Sequence, residues 1–477
     1  MRSWPLMALV ALAVGGCGDG GSGGTVLPEP VPAEISMVGT VASTDSVDAV
    51  FPVMVVVKGT DGKPSPGQAV VFTSAGPEGT LGVGTALGIP GFASIVDTTD
   101  AAGQIGAKVK LGRTLGEAVL TISVPSLQLQ RTVKFQIVPG APSIVRTTPS
   151  DTALYVGGSF TPRVEITDRH GNLRLDPVTY TATTPRASIS GGMVTANAVG
   201  RGSIVAQVGA RSDTIVVSVV PRGTIAAADA EGIVLFDLDG SNQRRLVRGR
   251  AYRPHWAPSG DALVFDQDDL ATLTRVDMAG NTTSLLPRLY SNVNWPRYSP
   301  DGQWIYTGTY VNGRGYFIWR VRPDGTGLEQ ITPNALHQLK GCPSISADGT
   351  TLVYFAHDSF LDVTVRSMDV RTRTESAVTV PGHCPIWSPT SDRILYSGLD
   401  GGIRLMTPSM GQPRTLSAPG QTYDYGLDFS PNGAYVVARS TTSGMIEILD
   451  ATTGETVPLP FTKGLDLRTP TWRPGAN

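Results

Sequence analysis

Residues 222–477 repeat one pattern six times, and a repeat of this period constrains the fold more tightly than any other feature of the chain. The element P-x-W/Y-S-P-D-G-x-x-I/L-x-Y/F stands as PHWAPSGDALVF at 254–265, PRYSPDGQWIYT at 296–307 and PSISADGTTLVY at 343–354. It returns as PIWSPTSDRILY at 385–396, as LDFSPNGAYVVA at 427–438 and, truncated, as PTWRP at 470–474. With Pro258, Pro300, Ala347, Pro389, Pro431 and Pro474 taken as equivalents, the steps are 42, 47, 42, 42 and 43 residues. Between the copies lies a strand, a tight turn and a second strand, from IVLFDLDGSNQRRLV at 233–247 to IEILDATTGETVPLP at 446–460. Four short strands per unit of about 42 residues is the period of a propeller blade.

The phase of the repeat shows how the ring closes. The first unit, 224–247, lacks its innermost strand, and that strand is supplied by 470–474 at the far end of the chain. One blade is thus shared by both ends, which removes two exposed sheet edges. Of 32 aromatic residues 24 fall in 222–477, and Trp256, Trp387 and Trp472 share one repeat position with Tyr298 and Phe429, as inter-blade core requires. The expected fold is all-β: two sandwiches at 35–138 and 141–220, then a six-bladed propeller at 222–477 closed by its C-terminal strand. In the first sandwich Val53, Val55 and Val57 alternate toward one face, a turn follows at Thr60-Asp61-Gly62, and Ala69 to Phe72 forms the next strand. Strands of this length, cut by such turns, pack as a β-sandwich of about 100 residues.

Three resemblances follow from these residues. D-G-x-P-x-x-G at Asp61 to Gly67, V-V-F at Val70 to Phe72, T-D-A-x-G at Thr99 to Gly103, and Gly116 ahead of Val119 to Val124 together resemble bacterial Ig-like domains of the invasin and intimin type. The 141–220 segment is similar to the other common bacterial Ig-like type, and such modules imply spacing and presentation. YSPDG at 298–302 with RPDGTG at 322–327 resembles the TolB-type propeller repeat, which implies protein binding at a funnel mouth. The chain departs from TolB in carrying Ig-like modules where TolB has an α/β domain.

The N-terminus reads as an address. Arg2 precedes an apolar stretch from Trp4 to Val14, too short for the ~20 residues that span a bilayer, so 1–16 is expected to be a signal peptide. Val14-Gly15-Gly16-Cys17 resembles the bacterial lipobox, which implies lipidation of Cys17. The 17–34 segment, rich in Gly and then Pro, reads as a tether. The resemblance, with Gly18 rather than Asp after the cysteine, implies an anchor in the cell envelope, in the outer membrane. A net charge of −2 offers no handle for nucleic acid, and 16% charged residues with 40% hydrophobic ones exclude a disordered chain.

For chemistry, the loops that enter each innermost strand and those that join the second strand to the third emerge on one face. That face collects Arg253, Trp295, His337, His357, His383, Tyr423 and Tyr425, with Asp268, Asp269 and Asp358 nearby. Aromatics and arginine are what binding hot spots favour. Three histidines in neighbouring loops lack H-x-x-x-H spacing, so no metal is expected, and no cofactor motif is present. Cys342 and Cys384 share a repeat position in adjacent blades, which leaves both a disulfide and two thiols open. Equivalent positions around a six-fold ring are expected to sit slightly beyond the 4.4–6.8 Å between Cα atoms that a bridge allows. The expectation is a lipid-anchored binding protein for an envelope or extracellular protein or glycan, and not an enzyme. The alternatives are a propeller hydrolase or lyase, for which His357 beside Asp358 is the one adjacent pair, and a purely structural envelope protein.

Overall fold

The computed structural model describes residues 33–475 apart from 76–80, 89, 268–271, 287–290, 312–314, 334–338, 360–361 and 412. Cys17, the 1–16 segment, most of the tether, His337, Asp268 and Asp269 lie outside the described residues. The chain falls into two compact units, divided after Ala141. Among the described residues no helix is long and apolar enough to cross a membrane.

The first unit is a pair of sheets. Glu34–Met37, Val50–Lys58, Gln104–Leu111 and Leu81–Thr85 form one, in that order. Thr44–Ser46, Leu129–Val138, Gly116–Val124, Ala69–Ala75 and Ser94–Thr98 form the other. Period-two alternation sends Val53, Val55 and Val57 inward, each with no exposed surface, against Phe72, Leu120, Ile122 and Phe135. Each such fully buried side chain contributes about 1.5–3 kcal/mol.

The second unit starts with a smaller set of sheets. Asp151–Tyr155, Arg211–Val220, Gly200–Val208 and Thr179–Ala182 make the four-stranded one, and Ile204, Ile215 and Val217 fill its core. The sequence divides this module from the propeller at 220/222, but the structure joins them. Val220 is buried in the same apolar cluster as Ile225, Val437 and Trp472, with Tyr155 and Val199 packed against it. Arg222 stacks over the Tyr155 ring at 5.1 Å, and Arg186 pairs with Glu455 at 2.7 Å. The module therefore rests on the first and last blades, where the ring closes.

Six four-stranded antiparallel sheets form the propeller. Blade 1 runs, outermost to innermost, Arg244–Arg248, Gly232–Asp237, Thr224–Asp229 and Arg468–Trp472. The C-terminal strand thus completes the blade that the chain opened, with Ile225 opposite Trp472. Blades 2 to 6 begin with the innermost strands Ala251–Trp256, Ser291–Tyr298, Leu339–Ile345, His383–Trp387 and Tyr423–Phe429. The repeated S-x-D/N turn is held by its own side chains: Ser299, Ser346 and Ser430 donate to Asp301, Asp348 and Asn432 at 2.5, 2.5 and 2.7 Å. The repeated tryptophans sit between blades. Trp256 Nε1 donates to the Thr471 carbonyl at 3.3 Å, and Trp387 Nε1 to that of Thr351 at 3.1 Å.

Candidate functional site

The innermost strands are not regular. Every one shows a register shift near its middle. At five of the six equivalent positions a non-glycine residue takes a left-handed backbone: Arg253 (φ 49°), Trp295 (53°), Cys342 (47°), Cys384 (43°) and Thr469 (46°). Proline follows each of them. Proline lacks a ladder donor and marks a bulge when it falls inside a strand, and a bulge re-aims the side chain it carries. Such backbone costs about 1–3 kcal/mol per residue and concentrates at functional sites.

At three alternate joints these positions meet their neighbours in the next blade. Arg253 lies over the Trp295 ring at 5.2 Å. Cys342 and Cys384 are joined in a disulfide with their Cα atoms 4.8 Å apart. A Cβ on Gly426, the sixth position, would stand 2.5 Å from the Thr469 Cα, so only glycine fits there. The expected separation for the cysteines was thus too long. The bulges bring these positions closer together than regular innermost strands would.

The same three joints share a second contact two residues further on. His255 Nδ1 accepts the Tyr298 N–H at 3.3 Å, Ser344 Oγ the Trp387 N–H at 3.0 Å, and Asp428 Oδ2 the Trp472 N–H at 3.0 Å. Burial pushes His255 down to about 3, with the nearby Arg297 charge adding to it, so the ring is neutral and able to accept. Arg297 reaches from blade 3 to blade 6 on the far side of the ring, where Nη2 donates to the Leu427 carbonyl at 2.9 Å and Nη1 lies 3.5 Å from Asp428. Asp428 also accepts from Thr471 Oγ1 at 2.7 Å. These side chains plug the axis.

The plug separates two mouths. On one side a funnel of about 480 Å³ is lined by Tyr252, Arg253, Trp295, Tyr425, Arg468 and the carboxylates Asp229, Asp424 and Asp466, among others. Beneath it the channel narrows to a cavity of about 20 Å³ that shares Arg253 and Trp295 with the funnel and also touches Arg297. The opposite mouth, about 250 Å³, is lined by the repeat itself: Trp256, Pro300, Trp387, Phe429 and their equivalents.

The face expected from the sequence is the funnel side, and the structure sorts its residues. Arg253 and Trp295 form the floor, and Tyr425, 47% exposed, stands on the wall. His383 stacks on Tyr425 with ring centroids 4.5 Å apart, and His357 lies 6.0 Å from His383. Burial pushes both imidazoles down, and for His383 the neighbouring His357 adds to it. Tyr423 does not belong to this surface. It is 3% exposed, packs with Leu427 and Phe429, and donates its hydroxyl to Glu447 at 2.9 Å; burial and that carboxylate push its pKa up. Both tyrosines lie in the innermost strand Tyr423–Phe429, but its register shifts after Tyr423, which stays in the inter-blade layer while Tyr425 is turned out. Among the described residues no group of three metal-ligating side chains occurs.

The sequence named Arg253 but missed the carboxylates Asp229, Asp266, Asp424 and Asp466 around it. Asp266, inside the buried strand Ala262–Gln267, has no exposed surface and pairs through Oδ2 with Arg253 Nη1, while its Oδ1 meets no hydrogen-bond partner among the described residues. Burial lifts its carboxyl to about 7 against the pull of Arg253. Among the described residues the carboxylates that line the funnel are each matched: Asp229 by Arg245 at 2.7 Å, Asp424 by Arg439 at 2.9 Å and Asp466 by Arg468 at 3.0 Å. A lone carboxylate within an apolar strand run was the available signal.

No protein-family model matches the chain. An uncharacterized protein of Agrobacterium fabrum is 30% identical over 178 residues, 34% of this chain and 60% of its own length. The chain therefore spans less than two thirds of that curated relative. Among solved structures, TolB from Acinetobacter baumannii is similar over 62% of this chain and 83% of its own, at 17% identity and a TM-score of 0.44. A structure assigned as TolB from Agrobacterium tumefaciens covers 50% of this chain and 89% of its own, at 18% identity and a TM-score of 0.43.

Proposed function

We propose that the chain is a lipid-anchored, extracytoplasmic binding protein of the cell envelope, whose propeller funnel recognises a protein or glycan without turning it over. The observation that carries this reading is the funnel's floor. Strained backbone aims Arg253 and Trp295 into a cavity that the Arg297–Asp428 plug closes below. A closed cavity with an arginine, aromatic walls and paired charges is a receptor for one end of a ligand. Lipidation at Cys17 supplies the tether, and the Ig-like modules carry the propeller.

The test is capture from detergent-solubilised envelope, with the chain from Thr25 onward as bait and a Trp295→Ala/Tyr425→Ala variant as control. Tyr423 stays out of the variant because it is core. A partner held by the parent and lost by an equally folded variant supports the reading. Equal capture by both contradicts it, and moves the scaffold and the hydrolase or lyase readings ahead.

A further inference from the structure

The charge layout of the funnel narrows the class of ligand. Three of its carboxylates already hold guanidinium groups in fixed pairs, so the wall presents donors and acceptors side by side with little net charge. Such a wall suits hydroxyl groups, which donate and accept at once. Tyr252, Trp295 and Tyr425 add flat apolar faces among these polar edges. Among the described residues a peptide side chain of apolar type would find no pocket free of charge here.

Arg253 is the exception to this balance. Nη1 is committed to Asp266, and among the described residues Nε and Nη2 meet no acceptor. The Trp295 ring under the guanidinium and the buried Asp266 behind it fix the head group, which is one quarter exposed toward the funnel. A guanidinium held in this way offers its free edge to one planar anion.

We infer that the funnel takes the end of an acidic glycan, with the carboxylate of a sugar acid on Arg253 and the sugar ring against Trp295. This rests on the binding reading above and narrows it to one of its two partner classes. Asp266 adds a consequence. Among the described residues the charged and titratable groups on the strands packed around it are Tyr252, Arg253 and His255 on the innermost strand, Arg275 and Asp277 on the third, and Arg297 and Tyr298 on that of blade 3; of these Arg253 forms an ion pair with it. With its carboxyl lifted to about 7, Asp266 offsets the Arg253 charge above that pH and leaves it uncompensated toward the ligand below. A ligand carboxylate keeps its charge throughout this range. Binding therefore strengthens as pH falls from 8 to 6, by about tenfold at most, the change in the protonated fraction.

The experiment is saturation-transfer NMR on the full chain in detergent, with D-glucuronate, D-glucose and inorganic phosphate as probes. At pH 6 glucuronate should bind about tenfold or more tightly than glucose, the worth of one charge-assisted hydrogen bond. Arg253→Gln should abolish that preference. Asp266→Asn should keep it and remove its pH dependence. Arg253→Lys, which keeps the charge and loses the planar fork, should weaken glucuronate yet retain the pH dependence, and stands in if the glutamine variant does not fold. Equal binding of glucose and glucuronate overturns the inference, as does a preference that survives Arg253→Gln. Phosphate binding as tight as glucuronate shows a general anion site and also overturns it. If capture of an envelope partner still depends on Tyr425 in that event, the binding reading stands and only the glycan assignment falls.

Discussion

The two mouths of the propeller are built from the same six strands by opposite rules. The opposite mouth uses what the blades share: Trp256, Trp387 and Trp472 at one position and Pro300, Pro389 and Pro431 at another. The funnel uses what they do not share. At one equivalent position it places Arg253, Trp295, two bonded cysteines, Gly426 and Thr469. Repeated residues thus hold the ring together, whereas the unrepeated ones give one mouth an individual chemistry. The backbone bulge is common to both, since it lies between them.

This contrast makes substitutions at the two ends unequal. The largest effect falls on the plug. Asp428→Ala leaves the Arg297 guanidinium buried without its carboxylate and strips acceptors from Thr471 and Trp472. The expected loss is about 3–5 kcal/mol in chemical denaturation, and a loss below about 1 kcal/mol would mean that the plug does not hold the ring. Next is the disulfide, which closes 42 residues between adjacent blades. Cys342→Ser/Cys384→Ser should cost about 2–4 kcal/mol by the same measurement under oxidising conditions.

Smaller effects mark the boundary with the second sandwich and the funnel wall. Arg186 and Glu455 are 36% and 42% exposed, so Arg186→Ala should cost about 0–1 kcal/mol. A larger loss would show that this ion pair, rather than Val220 and Tyr155, holds the module to the ring. Tyr425→Ala should shift stability by no more than about 0.5 kcal/mol, as a surface substitution does. Together with the loss of partner capture expected of the funnel variant, it separates binding from holding.

Much of this architecture was legible in the sequence, because the ring is made of repeats and the phase of a repeat fixes where it closes. The pairing of Ile225 with Trp472 follows from the missing innermost strand of the first unit. The alternation of Val53, Val55 and Val57 was equally plain. The site was less legible. Five innermost strands carry a residue followed by proline, and a proline inside a strand is a bulge signal; the left-handed backbone ahead of it is not the ordinary preference of such a residue. Without the bulge the cysteines stand too far apart to bridge, and regular alternation puts Tyr423 on the same face as Tyr425. Asp266 was hard to read for another reason: a lone carboxylate in LVFDQ was its one mark, and its partner Arg253 lies on the neighbouring strand. The join at Val220 was hidden because a short connection reads the same whether the modules on either side pack together or not.

The central claim is that one mouth binds and the other holds. Site-specific photocrosslinking tests it most directly, with a benzophenone amino acid placed in turn at Tyr425 in the funnel and at Pro300 on the opposite mouth, both exposed. Irradiation of source envelope should give a discrete adduct from position 425 and none from 300. An adduct from 300 alone, or equal adducts from both, would contradict the claim.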